Sequence, residues 1–568
     1  MRKYPILIVT VLILTLLLAC NPVTPSQTTA PVIAQATPTN VSLSKANLTP
    51  NQVETSKPIY GGILKYGYWV ADNFDTHQKV SYSPVATLPV FNQLVMFDIN
   101  YKETVPETII GDLADSWETS PNGTEITFHL YQGVKWHDGI PFTADDVIYS
   151  LDKMTDVNRS AISDWFPAYQ SAEKIDDFTL KVYLKYPSAG FLLSLAQGES
   201  QIQALHLAGT DDRSAAFLVG TGPYIPEEYK PGSHIKYKRN PNYFKKDIYG
   251  NQLPYLDGIY FYHSSSPACQ QNLIGRRIDL MGTTTGASSV SVYKVLIEGA
   301  PDLLWQKRVR YAYGSAIFLN LQNKPLDDVR VRRALDLLIV EDDLIPSYSS
   351  EVQFGTPGIG LLPVGLGLPE EEVVKLMGWD KPYQERVAEA RQLLSDAGYP
   401  DGFKLKMMSM ESGDSTNAFT NQVFAEALQK YLNIDVELIS NLVPTELRRR
   451  LDENSYDVYT YKVNESDTVK LNIYINADDY TKYSNYLNPE LDKMIAELDN
   501  IIDPDKRRDA IWAMERVLLT DLPALPTGRF IPSFMPYYPW VKNLRWNNLS
   551  YSNTNRLEDV WIDESLRK

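Results

Sequence analysis

The first twenty residues decide where the rest of this chain must fold. Arg2 and Lys3 give a positive start, and Ile6 to Leu18 is apolar but for two threonines. Leu17-Leu18-Ala19-Cys20 then closes the run with a branched residue, a small residue and a cysteine. The run is too short for an ordinary spanning helix and has the order of a secretory signal. It predicts cleavage before Cys20 and acylation of that cysteine, which would hold the mature chain to a bilayer by its N-terminus. The consequence for folding is direct. The 568 residues contain two cysteines, Cys20 and Cys269. With Cys20 acylated, Cys269 has no intrachain disulfide partner. An exported chain without disulfides depends on packing, and a chain of this length can bury the core that requires.

Composition narrows the function. The net charge is -16, which argues against nucleic acid as a partner, because phosphate binding needs a basic stripe. Arg448-Arg449-Arg450 reads as one solvated helix face. Residues 21–57 contain no aromatic residue and many Thr, Pro, Ser, Gln and Ala. Such a stretch buries too little apolar surface to order itself and reads as a tether. The chain carries 36 tyrosines and 10 tryptophans. Most must be packing residues, although both types suit a wet binding cleft. Enzyme signatures are missing: no Gly-x-Ser-x-Gly elbow and no His-Glu-x-x-His. The six histidines, at 77, 129, 137, 206, 234 and 263, form no close metal-ligand pair in sequence. No glycine-rich phosphate loop is present. No cofactor is expected. Cys269 lacks a neighbouring histidine and is not expected to act as a nucleophile.

From Pro58 onward strands and helices alternate. Ile63 to Trp69, Glu125 to Leu130 and Phe178 to Leu184 read as strands, the last preceded by a turn at Asp176-Asp177. Thr143 caps a helix through Leu151 with acids in its first turn. Glu385 to Ala397 reads as a helix stopped by Gly398. Phe424 to Leu432 and Arg507 to Leu519 are further helices. The class is α/β or α+β.

Six segments in order resemble the family 5 extracellular solute-binding proteins of bacterial ABC importers, the dipeptide-, oligopeptide- and nickel-binding group. The first runs from Leu113-Ala114-Asp115-Ser116-Trp117-Glu118 through Asn122-Gly123 and Gly133-Val134-Lys135-Trp136-His137-Asp138-Gly139 to Asp146-Val147. The second is Gly220-Thr221-Gly222-Pro223-Tyr224 with Arg239-Asn240-Pro241-Asn242-Tyr243-Phe244. The third is Leu253-Pro254-Tyr255-Leu256-Asp257. The fourth is Asn320 with Val329-Arg330-Val331-Arg332-Arg333-Ala334-Leu335. The fifth is Leu394-Ser395-Asp396-Ala397-Gly398-Tyr399, and the sixth is Asn485 with Asn488-Pro489-Glu490-Leu491-Asp492. Physically, Asn122-Gly123 and Asp138-Gly139 are turn formers, His137-Asp138 reads as structural, and Gly220 and Gly222 suit a tight crossing between lobes.

The resemblance implies a two-lobed periplasmic-binding-protein-like fold of class II with an additional inserted domain. One lobe would comprise residues 58–85, 210–315 and 525–568, the inserted domain 86–209, and the opposing lobe 316–524. It also implies function: a monomer that captures a small solute between the lobes and delivers it to ABC permease subunits. The ligand would be a peptide, or an oligosaccharide or metal chelate in the same fold. A lipoprotein that senses its ligand is the other reading. The cleft would lie between Tyr68-Trp69 at the end of the first strand and Asn464, Glu465 and Asp467 on the other lobe. Two departures stand out. Leu338-Ile339-Val340-Glu341 replaces the usual Ala-Ile-Asp-Arg. Tyr461 to Asp467 keeps acids but not the Trp-x-Ala-Asp segment whose aspartate holds a peptide's amino group in relatives.

Overall fold

The computed structural model describes residues 48–51, 54–68, 73–78, 83–282, 290–308, 313–339, 361–362, 367–410, 416–464, 483–526, 533–547 and 555–567. The signal segment, Cys20, Trp69, Glu465 and Asp467 lie outside them.

Among these residues, two principal sheets organise the chain. The first has seven strands, in spatial order Leu304–Arg308, Ser533–Tyr537, Leu280–Met281, Ile63–Tyr68, Gly258–His263, His234–Arg239 and Tyr224–Lys230. Ile63–Tyr68 runs parallel to both of its neighbours. The second sheet has five strands, in the order Asp435–Leu442, Lys404–Met410, Val458–Asn464, Tyr313–Leu319 and Ala524–Pro526. A four-stranded antiparallel sheet, Ala114–Thr119, Glu125–Leu130, Thr179–Leu184 and Tyr169–Asp176, shares one continuous core with the first. A separate core lies on the second sheet and takes residues from Ala316 to Leu525.

Local sequence explains these elements. Glu125–Leu130 and Thr179–Leu184 alternate half-buried and buried residues, and Phe128 faces Leu180 while Ile126 faces Val182. Helix Ala144–Met154 buries Ala144, Val147, Leu151 and Met154, one stripe at helical spacing. One of its two first-turn acids is fully engaged. Asp146 accepts hydrogen bonds from the Thr143 amide at 3.0 Å, the Trp136 indole at 3.2 Å and the Leu205 amide at 3.0 Å.

The structure differs from the sequence expectations in two places. Gly220 and Gly222 lie inside the first body, the part built on the seven-stranded sheet and its core, and not between it and the second body on the five-stranded sheet. A methyl on Gly220 would stand 1.9 Å from the carbonyl oxygen of Val90, and one on Gly222 2.5 Å from the same atom. Glycine is needed there for close backbone approach, and the Gly222 amide donates to Val90 at 2.8 Å. His137 braces the segment: the Gly220 amide donates to its Nδ1 at 3.2 Å, and its Nε2 lies 3.0 Å from the Gly222 carbonyl. The second difference concerns the tether. Its last part lies on the body, since Pro50 bridges Tyr101 and the Asn51 amide side chain donates to the Ile99 and Trp546 carbonyls, both at 2.8 Å. Backbone pairing and the Asn51 side chain hold these residues, with Leu48 half-buried among them. The Cys269 thiol is buried directly against Gly67, where a methyl would stand 2.3 Å from its sulfur.

Candidate functional site

The chain passes between the two sheets twice, from Arg308 to Tyr313 and from Pro526 to Ser533. Strand register locates both passages. Tyr537 faces Leu280, which faces Tyr66. The antiparallel Ser533–Tyr537 strand therefore starts level with the residues that follow Tyr68, and Arg308 pairs with Ser533. Arg308 and Ser533 thus lie beyond the carboxyl ends of Ile63–Tyr68 and Leu280–Met281. On the second sheet, Tyr313 pairs with Asn464, and Pro526 pairs with Ala316. Both passages enter at the end where Val458–Asn464 terminates. Tyr68 and Asn464 accordingly occupy the two sheet ends that flank the passages. Strand ends of this kind are where open α/β sheets place ligands.

Tyr68 is buried, and its ring meets Tyr66 edge-on at 5.7 Å between centroids. A methyl on Gly282 would stand 2.2 Å from the Tyr68 ring. Glycine at that position lets the tyrosine lie across the strand end. Next to it in the sheet, Tyr262 stacks on Tyr260 at 4.0 Å. Tyr68 and Tyr262 stand near these two strand ends, on opposite faces of the sheet.

A cavity of about 370 Å³ opens elsewhere in the first body, a volume within the range of small-molecule sites. Phe91, Leu207, Phe217 and Val219 form apolar walls, and Asp75, Lys153 and Gln203 form a polar floor. Asp75 comes from the segment after the first strand, Lys153 from the last turn of helix Ala144–Met154, and Gln203 from the segment behind it. Lys153 donates to Asp75 at 2.6 Å and to the Gln203 side-chain oxygen at 2.7 Å. Burial alone would raise the Asp75 carboxyl, but the charges of His77 and Lys153 and its hydrogen bonds outweigh it and hold it below the usual range. His77 is fully buried, and burial pushes it down to about 4, so its ring is neutral at pH 7 and adds its charge beside Asp75 only in acid. An ammonium has three protons. Two of those on Lys153 are taken, and the third can meet an acceptor on a solute.

The sequence expectations named none of these floor residues. The partners are 50 to 128 positions apart, and no local spacing marks them. Of the expected site residues, Tyr68 does not line this cavity. Among the described residues no group of three or more His, Cys, Asp or Glu is placed to hold a metal ion. No helix among them is long and apolar enough to cross a membrane.

Residues 108–485 match the profile of the bacterial extracellular solute-binding proteins, family 5 (middle). The dipeptide-binding protein of Escherichia coli is 27% identical over 349 residues, 57% of this chain and 61% of that protein. The chain thus spans under two thirds of that relative's length. The dipeptide-binding protein of Pseudomonas aeruginosa is 25% identical over 524 residues, 84% of this chain and 89% of that protein. Among solved structures, the DppA periplasmic binding protein of Helicobacter pylori in complex with the peptide STSA superposes with a TM-score of 0.68 at 22% identity. That superposition covers 89% of this chain and 98% of that one. The likeness establishes a two-lobed α/β fold.

Proposed function

The chain belongs to the family 5 bacterial extracellular solute-binding proteins, and from that premise we propose that it encloses a peptide between its lobes and presents it to an ABC permease. Proteins of this family act outside the cytoplasm and bind solutes without transforming them; this chain is a binding component, not an enzyme. The observation that carries the peptide-enclosing reading is the pair of passages flanked by Tyr68 and Asn464. Two covalent links between the two sheets let the lobes hinge. A ligand touching both lobes then favours the closed form by its differential affinity.

In this reading the lobes are residues 58–85, 210–315 and 525–568 against 316–524, with 86–209 inserted in the first. The two separate hydrophobic cores support that division. The site is Tyr68 and Trp69 on one side and Asn464, Glu465 and Asp467 on the other. Trp69 offers a stacking platform, and the acids offer a charge-assisted contact to a cationic group. The absence of Trp-x-Ala-Asp around Asn464 favours a ligand held otherwise than by the usual aspartate, and it keeps an oligosaccharide as the second reading.

Mass spectrometry of the solute carried through native purification identifies the ligand, and calorimetric titration with it tests the site. Trp69→Ala is expected to weaken binding by about 1 kcal/mol or more, the scale of an aromatic contact. Asp467→Asn is expected to weaken it most for a cationic ligand. Unchanged affinity in both folded variants would move the site elsewhere, with the cavity over Asp75 and Lys153 next in line.

The same reading holds the protein to a membrane through Cys20. Labelling of cells with a radioactive fatty acid is expected to mark the wild type and spare Cys20→Ser. Equal labelling of both would remove the anchor.

A further inference from the structure

The two bodies meet at a carboxylate. Asp499 follows helix Pro489–Leu498 in the second body and is buried. Its Oδ2 accepts from the Ser188 hydroxyl at 2.7 Å, and its Oδ1 accepts from the Gly190 amide at 2.9 Å. Its backbone carbonyl accepts from the Ala189 amide at 3.0 Å. All three donors belong to the segment between strand Thr179–Leu184 and helix Phe191–Leu195, in the first body. Tyr186 joins them: burial first, and then the charge of Asp499 and a hydrogen bond to it, push its hydroxyl up to about 12.

The position is a poor one for an anion on local grounds. A carboxylate at the C-terminal end of a helix faces the negative end of the helix dipole. The cation near it in its own lobe is Arg507, whose guanidinium donates to the Leu498 carbonyl at 2.5 Å and feels the charge of Asp499. Arg507 stays beside Asp499 on the same lobe, so the carboxylate can part from Ser188 and Gly190 without being left as an isolated charge.

We infer that Asp499 is a latch between the lobes: its carboxylate on one lobe is caught by Ser188, Gly190 and Tyr186 on the other, which favours the arrangement in which the lobes touch here over more open ones. The inference rests on the two bodies being lobes that hinge, and it needs no statement about the ligand. Charge-assisted hydrogen bonds that exist only in the closed form shift the open-closed ratio by about tenfold for each one that outweighs its solvation.

The test uses the ligand-free full chain, compared by small-angle X-ray scattering and hydrogen exchange. Asp499→Ala is expected to enlarge the radius of gyration and to speed exchange at the Ala189 and Gly190 amides by about tenfold or more. The double variant Ser188→Ala, Tyr186→Phe removes the catch from the other lobe and leaves the Asp499 corner intact. It is expected to open the protein in the same direction. An unchanged radius in both variants overturns the latch. So does opening by Asp499→Ala alone, which would reflect damage to its own helix corner, and so does opening by the double variant alone. Because no peptide is present, failure of peptide binding in a separate titration would leave this result standing.

Discussion

Between pH 7.5 and pH 5, the two halves of the protein are expected to change stability in opposite directions. In the first body, burial pushes His77 and His137 down to about 4. The unfolded chain takes up those protons near pH 6.5, so the stability these rings contribute is present above pH 6.5 and is lost as pH falls toward 4. Each ring is expected to cost about 2 kcal/mol at pH 5 relative to pH 7.5. In the second body the sign reverses. Burial raises Asp336 to about 7 against the opposing charges of Arg333 and Arg386. Burial also raises Glu515 to about 7, although the amides of Leu361, Leu362 and Leu368 donate to it at 3.1, 3.1 and 2.6 Å. The folded form of each holds a proton that the unfolded chain releases near pH 4. Their contribution is fully present below that value and is lost as pH rises through about 7, so each is expected to add about 2–3 kcal/mol on going from pH 7.5 to pH 5. Hydrogen exchange followed separately in strands Glu125–Leu130 and Val458–Asn464 reads the two halves. Protection that moves the same way in both would contradict the expectation. Asp336→Asn is expected to roughly halve the response of the second half, leaving the share of Glu515, and to leave the first half unchanged.

Replacing Arg556 by Met is expected to destabilise the first body by about 3–5 kcal/mol, the cost of removing one partner from a buried ion pair. Arg556 and Asp112 are both buried, and the guanidinium donates to the Asp112 carboxylate, to the Phe91 carbonyl at 3.0 Å and to the Gln93 side chain at 2.9 Å. Lys245 reaches the other carboxylate oxygen at 2.6 Å. Burial by itself would raise Asp112, but the charges of Arg556 and Lys245 outweigh it and keep it ionised, below its ordinary range. Methionine fills much of the volume but leaves Asp112 short of a partner and strands the Phe91 carbonyl. The contact also ties the C-terminal segment to the first body across 444 positions of sequence. Equilibrium denaturation is the measurement. A loss under about 1 kcal/mol, the net worth of an ordinary hydrogen bond, would mean that Lys245, the Gln93 amide and the Asn92 side chain satisfy the carboxylate without Arg556. Adding Asp112→Asn to Arg556→Met is expected to recover nothing, since Lys245, 2.6 Å from that carboxylate, then loses its counter-charge.

Elements whose signal is local were legible in the sequence. Strand Glu125–Leu130 follows from strict alternation, and helix Ala144–Met154 from its Thr143 cap and apolar stripe. Helix Tyr383–Asp396 follows from its spacing and the glycine at 398. Helix Thr416–Leu432 was legible only from Phe424 onward. Its first half carries Thr420 and Asn421, which are buried, and Asn421 accepts from the Thr460 hydroxyl of a neighbouring strand. Polar residues turned inward erase the hydrophobic period on which such a reading depends.

The sequence by itself determined the family, the alternation of strands and helices, and the turns at Asn122-Gly123 and Asp138-Gly139, because each of these is written in residues close together along the chain. Tertiary structure alone decided what Gly220 and Gly222 are for, since their requirement comes from the Val90 carbonyl and not from their own neighbours. It also decided that Asp75, Lys153 and Gln203 share one cavity floor and that Asp499 faces Ser188. These contacts join residues tens to hundreds of positions apart, and their energies depend on burial and on partners that only the folded chain brings within hydrogen-bond distance.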